Sequence, residues 1–321
     1  MGKKPILAVL IILIMMLGAC AAGKPVEQLV EKPVEQLSEA KIPLPLAEIL
    51  MKDTQPGWVF SLEMENLKKD DQVSIETDMV HMQTFFHVTE DEDEWNRLFA
   101  VDTLNSGKKG FLIVSVKRDG RTIFRKKLDI GFTDRIFPSQ ELQISQELLE
   151  RRIEAVSKGW EKFRMAIAKS VRTEEIYWDE AFIMPVEGRI STPFGARRTL
   201  NGDYGYIHSG IDLANKKGTP ILAANSGKVV LAEVQSLTGN TIVIDHGRGL
   251  FTLYAHLEAM SVAIGDNVNR GQEIGAMGST GFSTGSHLHF ETQLMGVYID
   301  PYILAEKSME LRKQMEREEL K

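Results

Sequence analysis

Short apolar runs separated by glycine-rich turns fill the chain from Pro185 to Tyr302, which leaves little room there for helices. Runs of four to eight residues bounded by Gly, Asn and Ser are typical of β-strands. The pattern therefore predicts a mostly antiparallel β domain over residues 183–303. Candidate strands cover residues 219–223, 228–234, 241–245, 251–256 and 288–294. Segments 218–229 and 265–275 resemble each other, which suggests a duplicated strand–turn unit.

A second β-rich region is predicted over residues 45–137. Trp58, Phe60, Leu62 and Met64 alternate with other residues, as a half-buried strand requires. Asp119-Gly120 separates two further apolar runs and suits a type I′ hairpin turn, which needs positive φ at both central positions. Several short strands in this length predict a small sandwich with an immunoglobulin-like arrangement. His81 and His87 also lie here, without neighbours that suggest a metal site.

The segment 138–182 changes character and is predicted to be a helical connector between the two β domains. Ser139 could cap a helix, and apolar residues then recur at helical spacing among charged ones. A second charged helix is predicted to close the chain over residues 304–321. The fold class expected overall is mainly β.

The first 19 residues are predicted to be a signal peptide. Lys3 and Lys4 precede an apolar run, and small residues precede Cys20. The stretch Leu17-Gly18-Ala19-Cys20 resembles the bacterial lipobox, in which the Cys is acylated. Residues 20–44 contain a short polar repeat with Pro in each copy, so they are predicted to be a tether. The alternative is an uncleaved membrane helix, because the apolar run is almost long enough to span.

These signals predict a protein of the cell envelope. Cys20 is the only cysteine, so it cannot form an internal disulfide and is best explained as the lipid attachment point. Ala21 rather than Asp follows it, which by resemblance favours the outer membrane, facing the periplasm. The net charge of −7 makes a broad basic surface improbable, and nucleic acid is a poor partner.

The candidate chemistry lies in histidine patterns of the C-terminal domain. On a strand, positions i and i+4 share one face, so His208 and Asp212 should point the same way. Ile211 and Leu213 would then face a core, and Gly210 would leave room on the ligand face. In His287-Leu288-His289 the two imidazoles likewise share a face opposite the leucine.

Two imidazoles and a carboxylate are suitable ligands for a catalytic metal ion. Zn²⁺ accepts nitrogen and oxygen ligands, and a catalytic site keeps three protein ligands and one open position. Fe, Ni and Mn also accept this set. Tyr254 and His256 would share another strand face, opposite Leu253, Ala255 and Leu257. His256 is therefore available as a proton carrier. The chain contains no His-Glu-x-x-His motif, so a histidine should act as the base.

Residues 183–303 resemble the lysostaphin-type (LytM-type) zinc metalloendopeptidases. The matching motifs are His208 with Asp212, Tyr254-Ala255-His256, His287-Leu288-His289, Pro193-Phe194-Gly195 and Gly278-Ser279-Thr280-Gly281. The resemblance implies one Zn²⁺ per chain, held by His208, Asp212 and His289, with His256 and His287 as catalytic histidines. It also implies a duplicated-hybrid-motif sheet with a long groove, and peptide bonds of peptidoglycan as substrate. Ser286 replaces the Pro of many relatives but touches no ligand position.

The function predicted first is therefore hydrolysis of peptide cross-links in the bacterial cell wall. The alternative is a non-catalytic module that binds the wall or activates a wall amidase, since some relatives have lost these residues. A third class, sugar-phosphate relay domains with an active histidine, fits an exported protein poorly.

Four further residues near these motifs have more than one possible role. Arg197 and Arg198 could meet a substrate carboxylate or be solvated. His246 is expected to be a turn residue, and Tyr254 could orient groups near the site or pack in the core. Some control of activity is expected, by the N-terminal domain or the connector.

Overall fold

The computed structural model describes residues 44–49, 55–68, 70–79, 83–84, 94–157, 164–166, 168–170, 173–202 and 204–316. The predicted signal peptide, Cys20 with most of the tether, His81 and His87 lie outside these residues, so those predictions stay predictions. Within the described residues, no helix combines the length and apolar character that a membrane crossing requires.

The N-terminal region contains seven described strands in two sheets. The strands are β1 (Leu46–Ile49), β2 (Val59–Glu65), β3 (Gln72–Thr77), β4 (Gln83–Thr84), β5 (Glu94–Ala100), β6 (Lys109–Arg118) and β7 (Arg121–Gly131). One sheet has the order β1-β2-β5-β4 and the other β3-β6-β7. The predicted alternation in β2 is confirmed, because Phe60, Leu62 and Met64 are all buried. The immunoglobulin-like arrangement stays a prediction.

The hairpin between β6 and β7 turns as its sequence predicted. Asp119 and Gly120 have φ values of 50° and 76°, so both central positions are in the left-handed region. Gly at the second position and Asp at the first tolerate this conformation better than other residue types. The apolar sides of the two sheets enclose a core of their own, which includes Phe60, Phe99 and Leu112.

The connector begins with a strand, not with a helix. Strand β8 (Ser139–Leu142) pairs in parallel with a strand of the C-terminal region, so Ser139 does not cap a helix. Helix α1 (Gln146–Ser157) follows, and the hydroxyl of Ser145 accepts the backbone N–H of Leu148 at 3.2 Å. A serine six residues later therefore has the capping role, because Ser139 is engaged in the sheet.

The C-terminal region is built from thirteen described strands. They are β8, β9 (Arg189–Thr192), β10 (Arg197–Leu200), β11 (Tyr204–Ile207), β12 (Ile211–Ala214), β13 (Pro220–Leu222), β14 (Gly227–Gln235), β15 (Gly239–Asp245), β16 (Leu250–Met260), β17 (Asn267–Val268), β18 (Glu273–Met277), β19 (His287–Leu294) and β20 (Val297–Ile299). Each of the five strands predicted in this region is present. A mainly β fold is thus confirmed.

Ten of these strands form one described sheet whose central path is β17-β14-β15-β16-β19-β12-β9. Strand β19 lies between β16 and β12, so its residues face partners on both sides. A separate sheet has the order β11-β10-β8. Helix α2 (Pro301–Glu316) follows β20 and starts three residues earlier than predicted, because the Asp300 carboxylate accepts the N–H of Tyr302 at 2.9 Å.

The core of the C-terminal region extends beyond its predicted boundaries. Trp178 and Phe182 from the end of the connector pack in it, as do Trp58, Val59 and Ala100 from the N-terminal region. The described residues between 44 and 316 belong to one compact unit. The domain boundary predicted at residue 183 stays a prediction, and Trp178 and Phe182, which precede it, are buried in this core.

Candidate metal centre and groove

Three side chains that are distant in the sequence converge on one point. His208 follows β11, Asp212 lies on β12, and His289 lies on β19 directly opposite Asp212. Nε2 of His208, Oδ1 of Asp212 and Nδ1 of His289 are each 2.9 Å from the other two. All three residues are buried. The structure thus brings together the three residues that the sequence analysis selected as metal ligands.

The local backbone differs from the single strand expected between His208 and Asp212. The chain leaves strand geometry after Ile207 and resumes it at Ile211. Gly210 lies in this break, where a Cβ atom would collide with the carbonyl oxygen of Phe290. Glycine is therefore required for the close approach to β19, and not to leave room on the ligand face.

The hydrogen-bond partners of the two imidazoles favour metal binding. Nδ1 of His208 lies 3.1 Å from the carbonyl oxygen of Pro193, and Nε2 of His289 lies 3.1 Å from a carboxylate oxygen of Glu291. Carbonyl and carboxylate oxygens only accept, so these two nitrogens carry hydrogen. In neutral rings the other nitrogens then present lone pairs toward Asp212. Two lone pairs and a carboxylate oxygen facing one point form a donor set that fits a divalent cation such as Zn²⁺.

The surroundings of the three side chains shift their pKa values in different directions. Burial lowers the pKa of His289, but its hydrogen bonds with Asp212 and Glu291 and their charges outweigh this effect and raise the pKa to about 9. Burial raises the pKa of Asp212, yet hydrogen bonds with His208 and His289 hold it well below its usual range. The pKa of His208 is lowered, mainly by burial. A metal ion binds a ring nitrogen that carries no proton, so metal affinity should rise with pH.

His256 and His287 lie beside this centre, with their ring planes tilted by 49° to each other. Nε2 of His287 is 3.8 Å from Oδ1 of Asp212, and the two ring centroids of His256 and His287 are 4.8 Å apart. Nδ1 of His256 lies 2.8 Å from the carbonyl oxygen of Thr280, and Nδ1 of His287 lies 2.8 Å from that of Gly285. Each neutral ring therefore carries its hydrogen on Nδ1 and presents a lone pair on Nε2.

The protonation state of His256 follows from its surroundings. Burial, followed by the charges of His287 and His289, lowers the pKa of His256 to about 3. The ring is consequently neutral at physiological pH and can accept a proton only transiently. A neutral imidazole beside a metal centre is suited to receive a proton and to pass it on.

A bulge in β16, not simple alternation, brings His256 to the centre. Ala255 pairs with His289 and Tyr254 pairs with Phe290, so Tyr254 faces the core on the opposite side of the sheet. His256 has a φ of 61°, and the register between β16 and β15 shifts at this point. The extra residue redirects the His256 side chain. The expected shared face of Tyr254 and His256 is therefore wrong.

The alternation expected in β19 is confirmed. His287 pairs with Ala214 and His289 with Asp212, which places both imidazoles on the face of the metal centre. Leu288 is buried in the core on the other side of the sheet. Glu291, the next residue on the imidazole face, was missed by the sequence analysis. The alternation of side chains along the strand, with a period of two residues, could have identified Glu291 from the sequence.

Arg198 is not the solvated charge considered as one alternative, and its contact with a substrate carboxylate stays a prediction. It donates from Nη2 to Oδ2 of Asp212 at 2.7 Å, and its neighbours also include Thr192, Gln140 and Tyr206. The guanidinium thus fixes the second carboxylate oxygen of Asp212 while the first faces the imidazoles. Arg197 is exposed, as a solvated charge would be.

His246 and Tyr254 are structural. His246 is fully buried, with Nδ1 at 2.8 Å from the Ser226 carbonyl oxygen and Nε2 at 2.8 Å from the Thr252 hydroxyl. The Tyr254 hydroxyl accepts the backbone N–H of Ala224 at 2.8 Å. His246 therefore has the turn-supporting role predicted for it, and of the two alternatives for Tyr254 the structure supports packing.

The centre lies in a groove with a cavity of about 410 Å³. Its lining includes Arg189, Ser191, Tyr206, Leu237, Phe282 and Ser286. Arg152 of helix α1 also lines it, with its guanidinium 4.1 Å from the ring centroid of Tyr206 and 4.9 Å from that of Phe282. The connector therefore borders the groove between its two aromatic walls.

The residues of the candidate metal centre lie in a segment that matches a known protein family. Residues 206–301 match the family described as peptidase family M23. This segment contains all five residues selected from the sequence, from His208 to His289. The chain is also similar, at 43% identity over 123 residues, to the DD-carboxypeptidase/endopeptidase Mpg of Neisseria meningitidis, covering 38% of this chain and 28% of that protein.

Two further proteins show the same regional similarity. The peptidoglycan DD-endopeptidase ShyC of Vibrio cholerae is 39% identical over 115 residues, which cover 35% of this chain and 26% of ShyC. The catalytic domain of lysostaphin from Staphylococcus simulans is 34% identical, covering 38% of this chain and 92% of that structure, with a TM-score of 0.32. The matched segment thus spans less than a third of the two full-length relatives, Mpg and ShyC.

Proposed function

We propose that this chain, whose residues 206–301 form a peptidase family M23 domain, is a zinc-dependent endopeptidase that hydrolyses peptide cross-links of bacterial peptidoglycan. The observation that carries the proposal is the convergence of His208, Asp212 and His289, with His256 and His287 beside them. The similarity to proteins named DD-endopeptidases supports peptidoglycan as the substrate.

The site residues have two roles in the proposed reaction, metal binding and proton transfer. His208, Asp212 and His289 would hold one Zn²⁺. When bound, the ion would supply Lewis acidity to the scissile carbonyl and lower the pKa of the attacking water. Nε2 of His287 or of His256 takes the proton of that water, because each Nδ1 is already occupied by a backbone carbonyl. The protonated imidazole then stabilises the oxyanion and donates its proton to the leaving amine.

The proposal includes the place of this protein in the cell envelope. An acylated Cys20 would anchor the protein to the outer membrane, and residues 20–44 would let the domain reach the wall from the periplasmic side. Labelling with a radioactive fatty acid tests this step: wild type should be labelled and Cys20→Ser should not. Equal labelling of both proteins would reject the anchor.

Digestion of purified peptidoglycan tests the activity. The full chain, purified in detergent and supplied with Zn²⁺, should convert cross-linked muropeptides into monomers, measured by mass spectrometry. His289→Ala and a chelator should each abolish the conversion. Unchanged fragments with wild type, or equal cutting by His289→Ala, would reject a zinc endopeptidase.

The alternative of a binding or activating module makes a different prediction. Such a module would bind peptidoglycan without cutting it and would have no need for a metal. About one zinc per chain, measured by mass spectrometry of the purified protein, supports the enzyme. Peptidoglycan binding without zinc would favour the module, as would stimulation of an amidase by His289→Ala equal to that by wild type.

A further inference from the structure

A buried ion pair connects the connector to the ligand His289. One carboxylate oxygen of Glu291 accepts from Nε2 of His289 at 3.1 Å and from the hydroxyl of Ser209. The other accepts from Nζ of Lys169 at 3.1 Å. The carboxylate is therefore held on both oxygens, between the metal ligand on one side and a connector lysine on the other.

The burial of this pair shows that it is more than a surface contact. The side chains of Lys169 and Glu291 are each 9% exposed. The backbone N–H of Lys169 donates to the carbonyl of Met165 at 3.0 Å, so the lysine extends from a helical turn of the connector. Breaking a buried pair leaves an uncompensated charge, whereas most exposed pairs contribute little.

A second set of contacts links the connector to Asp212. Oε1 of Gln140, on β8, accepts from Nε of Arg198 at 3.2 Å, while its Nε2 donates to the carbonyl of Ser191 at 3.2 Å. Arg198 in turn donates to Oδ2 of Asp212. Two of the three ligand residues are thus supported, through one intermediate side chain each, by residues that precede the M23 domain.

We infer that the connector is part of the metal centre: Lys169 positions His289 through Glu291, and Gln140 positions Asp212 through Arg198. This inference rests on the proposed metal site. Glu291 and Arg198 contact the ligand residues directly, and loss of such a contact typically lowers metal affinity by about 10- to 100-fold. A segment that borders the groove would then also help to retain the ion.

Zinc affinity of the full chain tests the inference without using activity. Zn²⁺ is titrated in competition with a fluorescent chelator. Lys169→Met should bind zinc about 10- to 100-fold more weakly than wild type, and Lys169→Arg should lose much less. The matched control is Lys217→Met, which removes a lysine from an exposed pair with Glu258 (62% and 42% exposed) and should leave the affinity unchanged.

A double-mutant cycle separates positioning from general damage. Glu291→Gln alone should weaken zinc binding by a similar factor, and adding Lys169→Met to it should cause no further loss. The double variant removes both buried charges, so it remains informative if Lys169→Met alone does not fold, as judged by circular dichroism.

The outcomes distinguish this inference from the proposed function. Absence of zinc binding by wild type would reject the metal site itself. Wild-type binding together with a Lys169→Met affinity within twofold of wild type, or tighter, would reject the connector's role and leave the peptidase proposal intact. A double variant that binds much more weakly than Glu291→Gln would also reject it.

Discussion

The two carboxylate oxygens of Asp212 have different partners. Oδ1 faces the two imidazoles, and Oδ2 accepts from Arg198 at 2.7 Å. The guanidinium thereby leaves only one oxygen for a metal ion and fixes its direction. Sequence alone could not assign this role, because the contact depends on how the hairpin of β10 and β11 lies beside β12.

Replacing this guanidinium should weaken the centre. Arg198→Met is expected to lower both zinc affinity and peptidoglycan cleavage by about tenfold or more, because Oδ2 loses its donor. Chelator competition and muropeptide analysis measure the two effects. Arg197→Met, at the exposed neighbouring position, serves as control and should match wild type. Equal behaviour of the two variants would contradict the role of Arg198.

His246 gives the fold a specific sensitivity to acid. Burial lowers its pKa from 6.5 to about 4, against a smaller effect of the hydrogen bond to Ser226. The unfolded chain therefore binds the proton at higher pH than the folded chain does. The stabilisation from a neutral His246 is fully present above about pH 6.5 and decreases as the pH falls toward about 4.

The difference between the pKa values of His246 in the unfolded and the folded chain corresponds to roughly 3 kcal/mol of unfolding free energy between pH 6.5 and about 4. His246→Gln, which does not titrate, should be less stable than wild type at pH 7 but should lose less stability on acidification. Urea unfolding of both proteins at several pH values, with a chelator present, measures it. Parallel pH profiles would show that His246 does not cause the sensitivity.

At the scale of elements, the site depends on two departures from regular strands. Alternation alone predicted the faces of β19 correctly, because a strand paired on both sides keeps its period of two. It failed at the break around Gly210 and at the bulge of His256. The bulge is held by two neighbouring loops: the N–H of His256 donates to the carbonyl of Thr238, and its Nδ1 donates to the carbonyl of Thr280. Such contacts have no local signal in the sequence.

Gly239 is where the two loops that support His256 meet. It has a φ of 65°, and a Cβ atom there would collide with the backbone of Thr280. Gly239→Ala should therefore cost about 1–3 kcal/mol beyond the cost of the positive φ, and should shift Thr280 and the imidazole it orients. Thermal unfolding and muropeptide release measure the two consequences.

The matched control is Gly265→Ala. Gly265 has a φ of 97°, but no atom lies within 4 Å of the added Cβ. Gly265→Ala should therefore lose only the about 1–2 kcal/mol that a positive φ costs an alanine. It should keep wild-type cleavage at a temperature where both variants are folded. Full activity of Gly239→Ala under the same conditions would contradict this account of the bulge.

At the scale of the whole molecule, the segments predicted as separate domains share a core. Trp58 and Trp178 pack with residues of the large sheet, and Arg135 forms an ion pair with Asp300 at the start of α2. The sequence predicted the strands on either side but not this sharing, because isolated aromatic residues do not reveal which core buries them. Residues 43–321 should consequently unfold in one cooperative transition.

Calorimetry of the full chain and of the fragment 183–321 checks this expectation. The fragment lacks Trp178 and Phe182, so it should unfold at a clearly lower temperature than the full chain. Two well-separated transitions in the full chain would contradict a shared core. Faster wall cleavage by the fragment would support inhibition by the preceding segments, provided that the fragment is still folded at the assay temperature.

The parallel pairing of β8 with β10 has a consequence for how an extended ligand could bind in the groove. An exposed strand edge beside a groove would invite an extended ligand to add to the sheet through its main chain. Along β10 that edge is already occupied by Ser139–Leu142 of the same molecule. Among the described strands β8 is the outer strand of this sheet, and its Gln140 and Leu142 line the groove, so an extended ligand that added to the sheet would pair with the connector.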